Sequence, residues 1–433
     1  MADKSVVSRR SFIKSAAAVT GAFFIVPRRV LGGPGYTPPS ETITHAIIGV
    51  GVMGLNHINY CHQDNKARLL AICDVDDKHL AKGLRKAGKG CKGYKDFRDV
   101  LARGDIDVVH NVTPPHWHAV IAIAAAQAGC DIWNEKPMTR TIAEGQPIID
   151  AVRKNGRMFR LNTWFRLHDS LYELGSDAKT IKKLVSSGLL GWPLTARVSP
   201  STGFTWKTAM WAGRTDLKPQ RVPRHFDYDM WLGPAPYKPY HPHRSHWTFR
   251  GYWDYDGGGL ADMGQHYLDP VQYILDKDDT SPVEIQAWAK WPTHPEAVGL
   301  WDRVEMRYAD DCRIILESGE LGPDKTAGKP FLEGPSGKIY KGGITDPPNL
   351  KDAVANLPEP EPMISDFNVS ITTRQKFGLN EVNGNRSNML VHLANAAIRT
   401  GRKLRFDPVS QRFTGDEQAN RLADQPMRAP WQL

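Results

Sequence analysis

The segment Gly49-Val50-Gly51-Val52-Met53-Gly54 follows a largely apolar run, Ile43 to Ile48, and opens a helical pattern. Asp74 stands twenty residues beyond Gly54, at the end of a second run, Leu69 to Cys73. Glycines at this spacing between a strand and a helix, answered by a carboxylate after the next strand, form the pattern that seats a dinucleotide. Gly49 permits the tight turn, Gly51 lets the backbone approach a pyrophosphate, and Gly54 allows close helix packing. Val52 and Met53 begin the helix whose unpaired N–H groups would meet the anion. Asp74 is placed to accept hydrogen bonds from the adenosine ribose. Asp76 and Asp77 stand beside it and no arginine follows directly, so a 2′-phosphate would be repelled and NAD is favoured over NADP.

A second segment runs Asp256-Gly257-Gly258-Gly259-Leu260-Ala261-Asp262-Met263-Gly264-Gln265-His266. Asp262 and His266, at i and i+4, share one face of the helix that follows the glycines. A histidine there could take a proton from an alcohol while a nicotinamide accepts the hydride, because its pKa lies near working pH. Lys136, at the carboxyl end of another strand, could hydrogen-bond the same alcohol and hold its developing negative charge. An Asp and His at this spacing are by themselves as readily a structural hydrogen bond; the dinucleotide pattern turns the reading toward catalysis.

The elements that must position these residues alternate. Helical patterns at 78–87, 96–103, 117–128 and 141–154 separate strand-like runs at 107–112, 131–134 and 158–163, which implies a parallel sheet with helices on both faces. Ligands of such sheets bind beyond the carboxyl ends of strands, where Thr113-Pro114-Pro115-His116-Trp117-His118 and Glu135-Lys136-Pro137 lie. From residue 165 the rhythm changes. A helix near 177–187 and a strand at 194–199 precede a stretch dense in Trp, Pro and His, and alternating runs at 283–291, 303–308 and 312–318 read as half-buried antiparallel strands. Hairpins and loops are expected over 320–363, and a last helix over 386–400. The expected division is a signal and arm at 1–40, an α/β Rossmann domain at 41–164, and at 165–433 an α+β domain for substrate binding and oligomerisation. Its open, mainly antiparallel sheet needs a cover, and a second copy of the chain is the simplest one.

The 433 residues are too many for one core. Lys4, Arg9, Arg10, Lys14, Arg28 and Arg29 face Asp3 alone in the first forty residues, so more than half of the formal net charge of +9 sits there. No later block of like charge suggests a nucleic-acid track. Ser8-Arg9-Arg10-Ser11-Phe12-Ile13-Lys14 resembles a twin-arginine export signal, and the apolar stretch from Ala16 to Val26 is too short for a stable membrane anchor. A partnership with the twin-arginine translocase and a periplasmic or envelope location follow as expectations. That route carries folded proteins, so the cofactor would be acquired in the cytoplasm and held tightly, helped by an arm at 27–41 that folds over the adenosine or onto a neighbouring subunit. The five cysteines, Cys61, Cys73, Cys91, Cys130 and Cys312, contain no C-x-x-C pair and suggest neither a disulfide framework nor a zinc knuckle.

Trp206, Trp211, Trp231, Trp247 and Trp253, interspersed with Arg244, His246 and Arg250, would suit a sugar site, where flat rings stack on apolar sugar faces; equally, such rings fill cores. The run His241-Pro242-His243-Arg244-Ser245-His246 is interrupted by Pro and a cation and has no nearby carboxylate, so no metal is expected.

With these motifs in view, the chain resembles the Gfo/Idh/MocA oxidoreductases over nearly all of its length after residue 41. The resemblance rests on GVGVMG with Asp74, Thr113-Pro114-Pro115 with His118, Glu135-Lys136-Pro137, and Gly258 through Asp269. It implies that Lys136 and His266 are catalytic, that Asp262 binds substrate or orients the histidine, and that Glu135, Thr113 and Pro114 line the nicotinamide side, with His118 in the same cofactor motif. It also implies a cis peptide at Lys136-Pro137 and, more loosely, substrate contacts from Asn162 and Arg166, to which the aromatic reading adds Trp253. The export signal and Trp-rich insert look like the exported branch of the family. The expected activity is NAD-dependent hydride transfer from a secondary alcohol of a sugar, glycoside or cyclitol. A rival is a redox-neutral NAD-dependent glycosidase acting by oxidation, elimination and re-reduction. A nucleotide-bound sensor is disfavoured by the retention of Lys136, Asp262 and His266.

Overall fold

The computed structural model describes residues 41–163, 165–168 and 170–433; the expected signal and arm lie outside them. The first domain carries β1 (Ile43–Ile48), α1 (Val52–Gln63), β2 (Ala67–Cys73), α2 (Asp77–Ala87), β3 (Lys92–Tyr94), α3 (Phe97–Leu101), β4 (Val108–Asn111), α4 (His118–Gln127), β5 (Asp131–Glu135), α5 (Gly145–Lys154) and β6 (Phe159–Asn162). Its strands are all parallel, in the order β3-β2-β1-β4-β5-β6. This is the doubly wound arrangement whose order reverses beside β1, and the crevice above that reversal is where a dinucleotide binds. Asp76 and Asp96 start α2 and α3 by accepting from the N–H groups of Lys78 and Arg98.

The second domain carries α6 (Ala178–Ser186), β7 (Thr195–Val198), α7 (Tyr228–Leu232), α8 (Gly258–Ile274), β8 (Glu284–Ala289), β9 (Trp301–Arg307), β10 (Arg313–Glu317), β11 (Leu332–Glu333), β12 (Lys338–Tyr340) and β13 (Ile344–Asp346). It ends with α9 (Leu350–Ala353), α10 (Phe367–Thr373), α11 (Glu381–Thr400), β14 (Leu404–Asp407), β15 (Arg412–Phe413) and α12 (Glu417–Ala423). The open sheet runs β13-β12-β11-β7-β10-β9-β8-β14-β15, with only the β7–β10 pair parallel. One face is covered by α8 and α11, which are buried along most of their lengths. The last helix is α12 rather than the one expected at 386–400, which starts earlier, at Glu381. Asn380 sets that start by accepting from Val382 N and pairing reciprocally with Asn383. Among the described residues no helix is long and apolar enough to cross a membrane.

The two domains interlock. Phe367, Phe377 and Leu379 belong to the core of the first domain, and Leu161 N of β6 donates to Leu379 O. Near the chain end the Trp431 ring lies 4.6 Å from that of Trp117, while Arg428 donates to the Gly233 carbonyl.

The fit of α1 against the end of β1 depends on Gly54, where a Cβ would lie 2.1 Å from the Gly49 carbonyl oxygen. Gly54→Ala must therefore push α1 off the turn. A loss of roughly 1–3 kcal/mol is expected, read as a lower thermal midpoint together with at least tenfold weaker NAD binding in an equilibrium titration.

Candidate functional site

The turn from β1 into α1 has room for a ligand where the spacing requires it. Gly49 adopts a φ of +89°, and a Cβ added at Gly51 meets nothing within 4 Å. No side chain caps α1, so its first N–H groups are available to an anion. A cavity extends from Gly49, Gly51, Val52 and Met53 past Asp74 to Thr113, Pro114, Glu135, Lys136 and Asp262. These residues fit a dinucleotide laid across the switch point of the sheet.

At the adenosine end Asp74 Oδ2 accepts from Val50 N at 2.7 Å and faces His79 Nδ1 at 3.6 Å, while Oδ1 accepts from Asp76 N at 2.9 Å and keeps a lone pair for a ribose hydroxyl. The expectation that Asp76 and Asp77 add charge here is corrected. Asp76 is buried, caps α2, and meets His225 Nδ1 and His246 Nε2 at 3.2 Å each. Asp77 pairs with Lys95 at 2.8 Å. Asp74 is the carboxylate that faces the cavity at this end. The aromatic insert is pinned onto the same corner: Asp77 N donates to His225 O, and Asp227 N donates to Val75 O. Met230, Trp231, His246, Trp247, Phe249 and Arg250 of the insert then close one side of the cavity.

At the other end β5 runs into Glu135, Lys136 and a cis Pro137, as the resemblance implied. Lys136 Nζ donates to the Asp262 carbonyl at 2.6 Å and to Asp262 Oδ1 at 2.9 Å. Arg250 Nε donates to the same Oδ1 at 2.9 Å, and Trp211 Nε1 donates to Oδ2 at 2.8 Å. Burial alone would raise the Asp262 carboxyl, but the Lys136 and Arg250 charges hold it well below the usual carboxylate range. Glu135 behaves likewise: burial opposes its charge, yet hydrogen bonds from His57 and Asn162 and the charge of Lys136 lower it to about 2.

Two profiles decide the family. The NAD-binding Rossmann fold of the oxidoreductase family matches residues 43–163, and its C-terminal alpha/beta domain matches residues 174–433. The chain belongs to the Gfo/Idh/MocA oxidoreductase family. A glycosyl hydrolase family 109 protein of Shewanella pealeana is 27% identical over 208 residues, 43% of this chain and 44% of that protein. Inositol 2-dehydrogenase of Salmonella typhimurium is 29% identical over 154 residues, 35% of this chain and 44% of that enzyme. The chain thus spans less than half the length of these curated relatives. The WlbA dehydrogenase of Bordetella pertussis, in complex with NADH and UDP-GlcNAcA, shares the fold at a TM-score of 0.56 and 19% identity, over 84% of this chain and 99% of that one. Levoglucosan dehydrogenase, in complex with NADH and levoglucosan, does so at 0.52 and 17%, over 84% and 99%.

Within this Gfo/Idh/MocA site several expected residues take other places. Gly54 lies beneath the turn. His118 is fully buried and braces the cavity wall, its ring nitrogens 2.7 Å from the Pro137 carbonyl and 2.8 Å from the Thr113 carbonyl. Asn162 donates to Glu135 at 2.6 Å. Arg166 is held by Asp269 at 2.8 Å and Asp278 at 2.5 Å, away from the cavity. Trp253 and Trp206 belong to the core of the second domain. The histidines of 241–246 diverge: His241 accepts from His243 N, His243 meets the Tyr252 hydroxyl, and His246 meets Asp76.

His266 needs the largest correction. Burial, reinforced by the Lys136 charge, lowers it to about 3, so its imidazole is neutral throughout the working range rather than poised near it. Asp262 Oδ1 accepts from Lys136 and Arg250 and its Oδ2 from Trp211. Asp256, which the sequence marked only as the first residue of its motif, lines the cavity instead. Burial pushes its carboxyl up to about 7; Arg250 and Lys136 restrain the rise and Asp262 adds to it.

Because that value is raised, Asp256 is neutral below about pH 7 and charged above it. The kcat/KM profile of the wild type should bend near pH 7, and Asp256→Asn should remove that inflection; an unchanged profile would assign the titration to another group.

Proposed function

We propose that the protein is an NAD-dependent oxidoreductase that takes a hydride from a secondary alcohol of a sugar, glycoside or cyclitol and holds its cofactor tightly. The observation that carries this reading is the Lys136–Asp262 ion pair at 2.9 Å, set in the same cavity as the glycine turn and Asp74. When bound, NAD supplies the hydride acceptor. Gly49, Gly51, Val52, Met53 and Asp74 would hold its adenosine and pyrophosphate, and Thr113, Pro114 and Glu135 the nicotinamide side. The Lys136 ammonium donates toward the substrate oxygen and stabilises negative charge as it develops there, while Asp262 fixes its direction. Asp256, neutral or charged around pH 7, is positioned to exchange the alcohol proton with water. Trp247 is 48% exposed and stands beside Arg250, which supports a sugar face stacked on the ring with hydroxyls read by the guanidinium.

The inositol dehydrogenase and levoglucosan dehydrogenase likenesses support a polyol or sugar substrate. The family 109 likeness favours the second reading, a redox-neutral glycosidase, in which the same groups would release an aglycone with no net NADH. Tight retention is supported by the insert that closes the adenosine end. Export by the twin-arginine translocase to the periplasm rests on residues 8–14. Association of two copies through the open sheet rests on its exposed Trp288 and on Trp291 beyond it.

Lys136→Ala should lower turnover at least about a hundredfold while the purified protein still releases one nucleotide per chain on denaturation, read by mass spectrometry. Near-normal turnover would remove Lys136 from the chemistry, and free NADH that fails to accumulate while aglycone appears would favour the glycosidase.

A further inference from the structure

Seven cations and no carboxylate fall between residues 78 and 95. Four of them, Lys78, Lys82, Arg85 and Lys86, are on α2; Lys89, Lys92 and Lys95 follow along the edge strand β3 and the turns that flank it. The first forty residues account for five of the formal charge of +9, and these seven cations exceed the remaining four, so everything else in the chain is net −3. The positive excess of the folded part is therefore one local accumulation. Glycines and apolar residues separate the cations, so they form no block of like charge in the sequence.

The helix gathers them. Leu80, Leu84 and Ala87 pack α2 against the small core of Ile47, Val50 and Ile72. At 3.6 residues per turn, Lys78, Lys82, Arg85 and Lys86 then fall within about 100° of arc on the opposite side, along about 12 Å of helix. All seven cations are exposed except Lys86, which is half-buried. Lys95 pairs with Asp77 at 2.8 Å; among the described residues none of the other six has a carboxylate within 4 Å. Soluble surfaces ordinarily intersperse both signs. Lysines on β3 also blunt an open sheet edge, but that does not account for the four cations on α2.

The surroundings of the stripe narrow the partner. Single-stranded nucleic acid needs aromatic faces for its bases, and Tyr94, the one Phe, Tyr or Trp in the stretch, is half-buried with the Lys92 and Arg103 charges 5.1 and 6.0 Å from its ring centroid. An acidic substrate would be drawn toward Lys136, whereas α2 starts at the adenosine end of the cavity and leads away from it. Its far end meets the place where the chain enters the fold. His62 near the end of α1 lies 3.4 Å from the Ala87 carbonyl, and Ile43 N at the start of β1 donates to Lys66 O at 2.8 Å. The first forty residues carry six further cations and the apolar stretch from Ala16 to Val26. One short apolar segment holds a bilayer weakly, and a basic patch is a second contribution that makes such attachment stable.

We propose that α2 and the adjoining edge at β3 are a docking face for an anionic lipid bilayer. Lys78, Lys82, Arg85, Lys86, Lys89 and Lys92 meet the headgroup phosphates. No large apolar side chain is exposed on this face, so it rests on the headgroups without entering the hydrocarbon, and its attraction is screened by salt. The sugar chemistry of the cavity plays no part in this contact.

The full chain, loaded with its nucleotide, is sedimented with phosphatidylcholine vesicles that contain about 30% phosphatidylglycerol and with vesicles of phosphatidylcholine alone. The triple variant Lys82→Glu, Arg85→Glu, Lys89→Glu should bind the anionic vesicles at least about thirtyfold more weakly than the wild type, with an unchanged thermal midpoint and nucleotide content. The two proteins should bind phosphatidylcholine alone equally, and raising salt from about 0.05 to about 0.5 M should release the wild type from the anionic vesicles. Binding of the two proteins to anionic vesicles within about twofold of each other, or binding indifferent to salt, would overturn the proposal. Tighter capture of the wild type by duplex DNA or heparin than by vesicles at equal anion concentration would overturn it as well, and assign the stripe to another polyanion. Should the triple reversal fail to fold, Lys82→Gln with Arg85→Gln and Lys89→Gln decides, with about fivefold or greater weakening expected.

Discussion

The arrangement turns on one buried ion pair that joins the two domains. Lys136 ends a strand of the parallel sheet, Asp262 sits in the first turns of α8, and both side chains are nearly removed from water, at 12% and 9% exposure. Separating such charges in a low-dielectric interior leaves each uncompensated, at a cost of several kcal/mol. The pair therefore fixes where α8 lies against the carboxyl end of β5. Arg250 fills the second acceptor site on Oδ1 and Trp211 holds Oδ2, so the ammonium keeps one direction and its third hydrogen is left for a substrate oxygen. Everything chemical in the cavity is built outward from that fixed point.

The second domain also supplies much of the cofactor chamber. The backbone of residues 225–227 pairs with the turn after β2, and His225 and His246 meet the Asp76 carboxylate that caps α2. The dinucleotide pattern alone provides an open crevice. The insert turns that crevice into an enclosure and, through Arg250 and Trp211, reaches Asp262 at the far end of the same cavity.

Much of this was legible in the chain because it is local. The glycine spacing, the strand and helix periods, and Asp74 depend on a few neighbouring residues, and the parallel sheet forms where they place it. Lys136 was legible from its position at a strand end. Arg166, Asn162 and Trp253 were misplaced because their partners, Asp269, Glu135 and the core around α8, are distant in sequence; a cation and an amide look the same in a chain whether they face substrate or a buried carboxylate. His266 was assigned a pKa near neutrality because its full burial beside Lys136 is a property of packing alone. Arg250 carried a signal within the aromatic insert, whereas Asp256 carried none beyond the motif that it opens.

The central claim is that one cavity, anchored by Lys136 and Asp262, passes hydride from an alcohol carbon to a retained nicotinamide. It is tested most directly by a single turnover with polyols and sugars deuterated at the carbinol carbon, followed by mass analysis of the nucleotide released on denaturation. The account predicts one deuterium on the nicotinamide ring per chain, and its loss when an unlabelled carbonyl acceptor is added. Nucleotide that remains unlabelled while the substrate is consumed would contradict it.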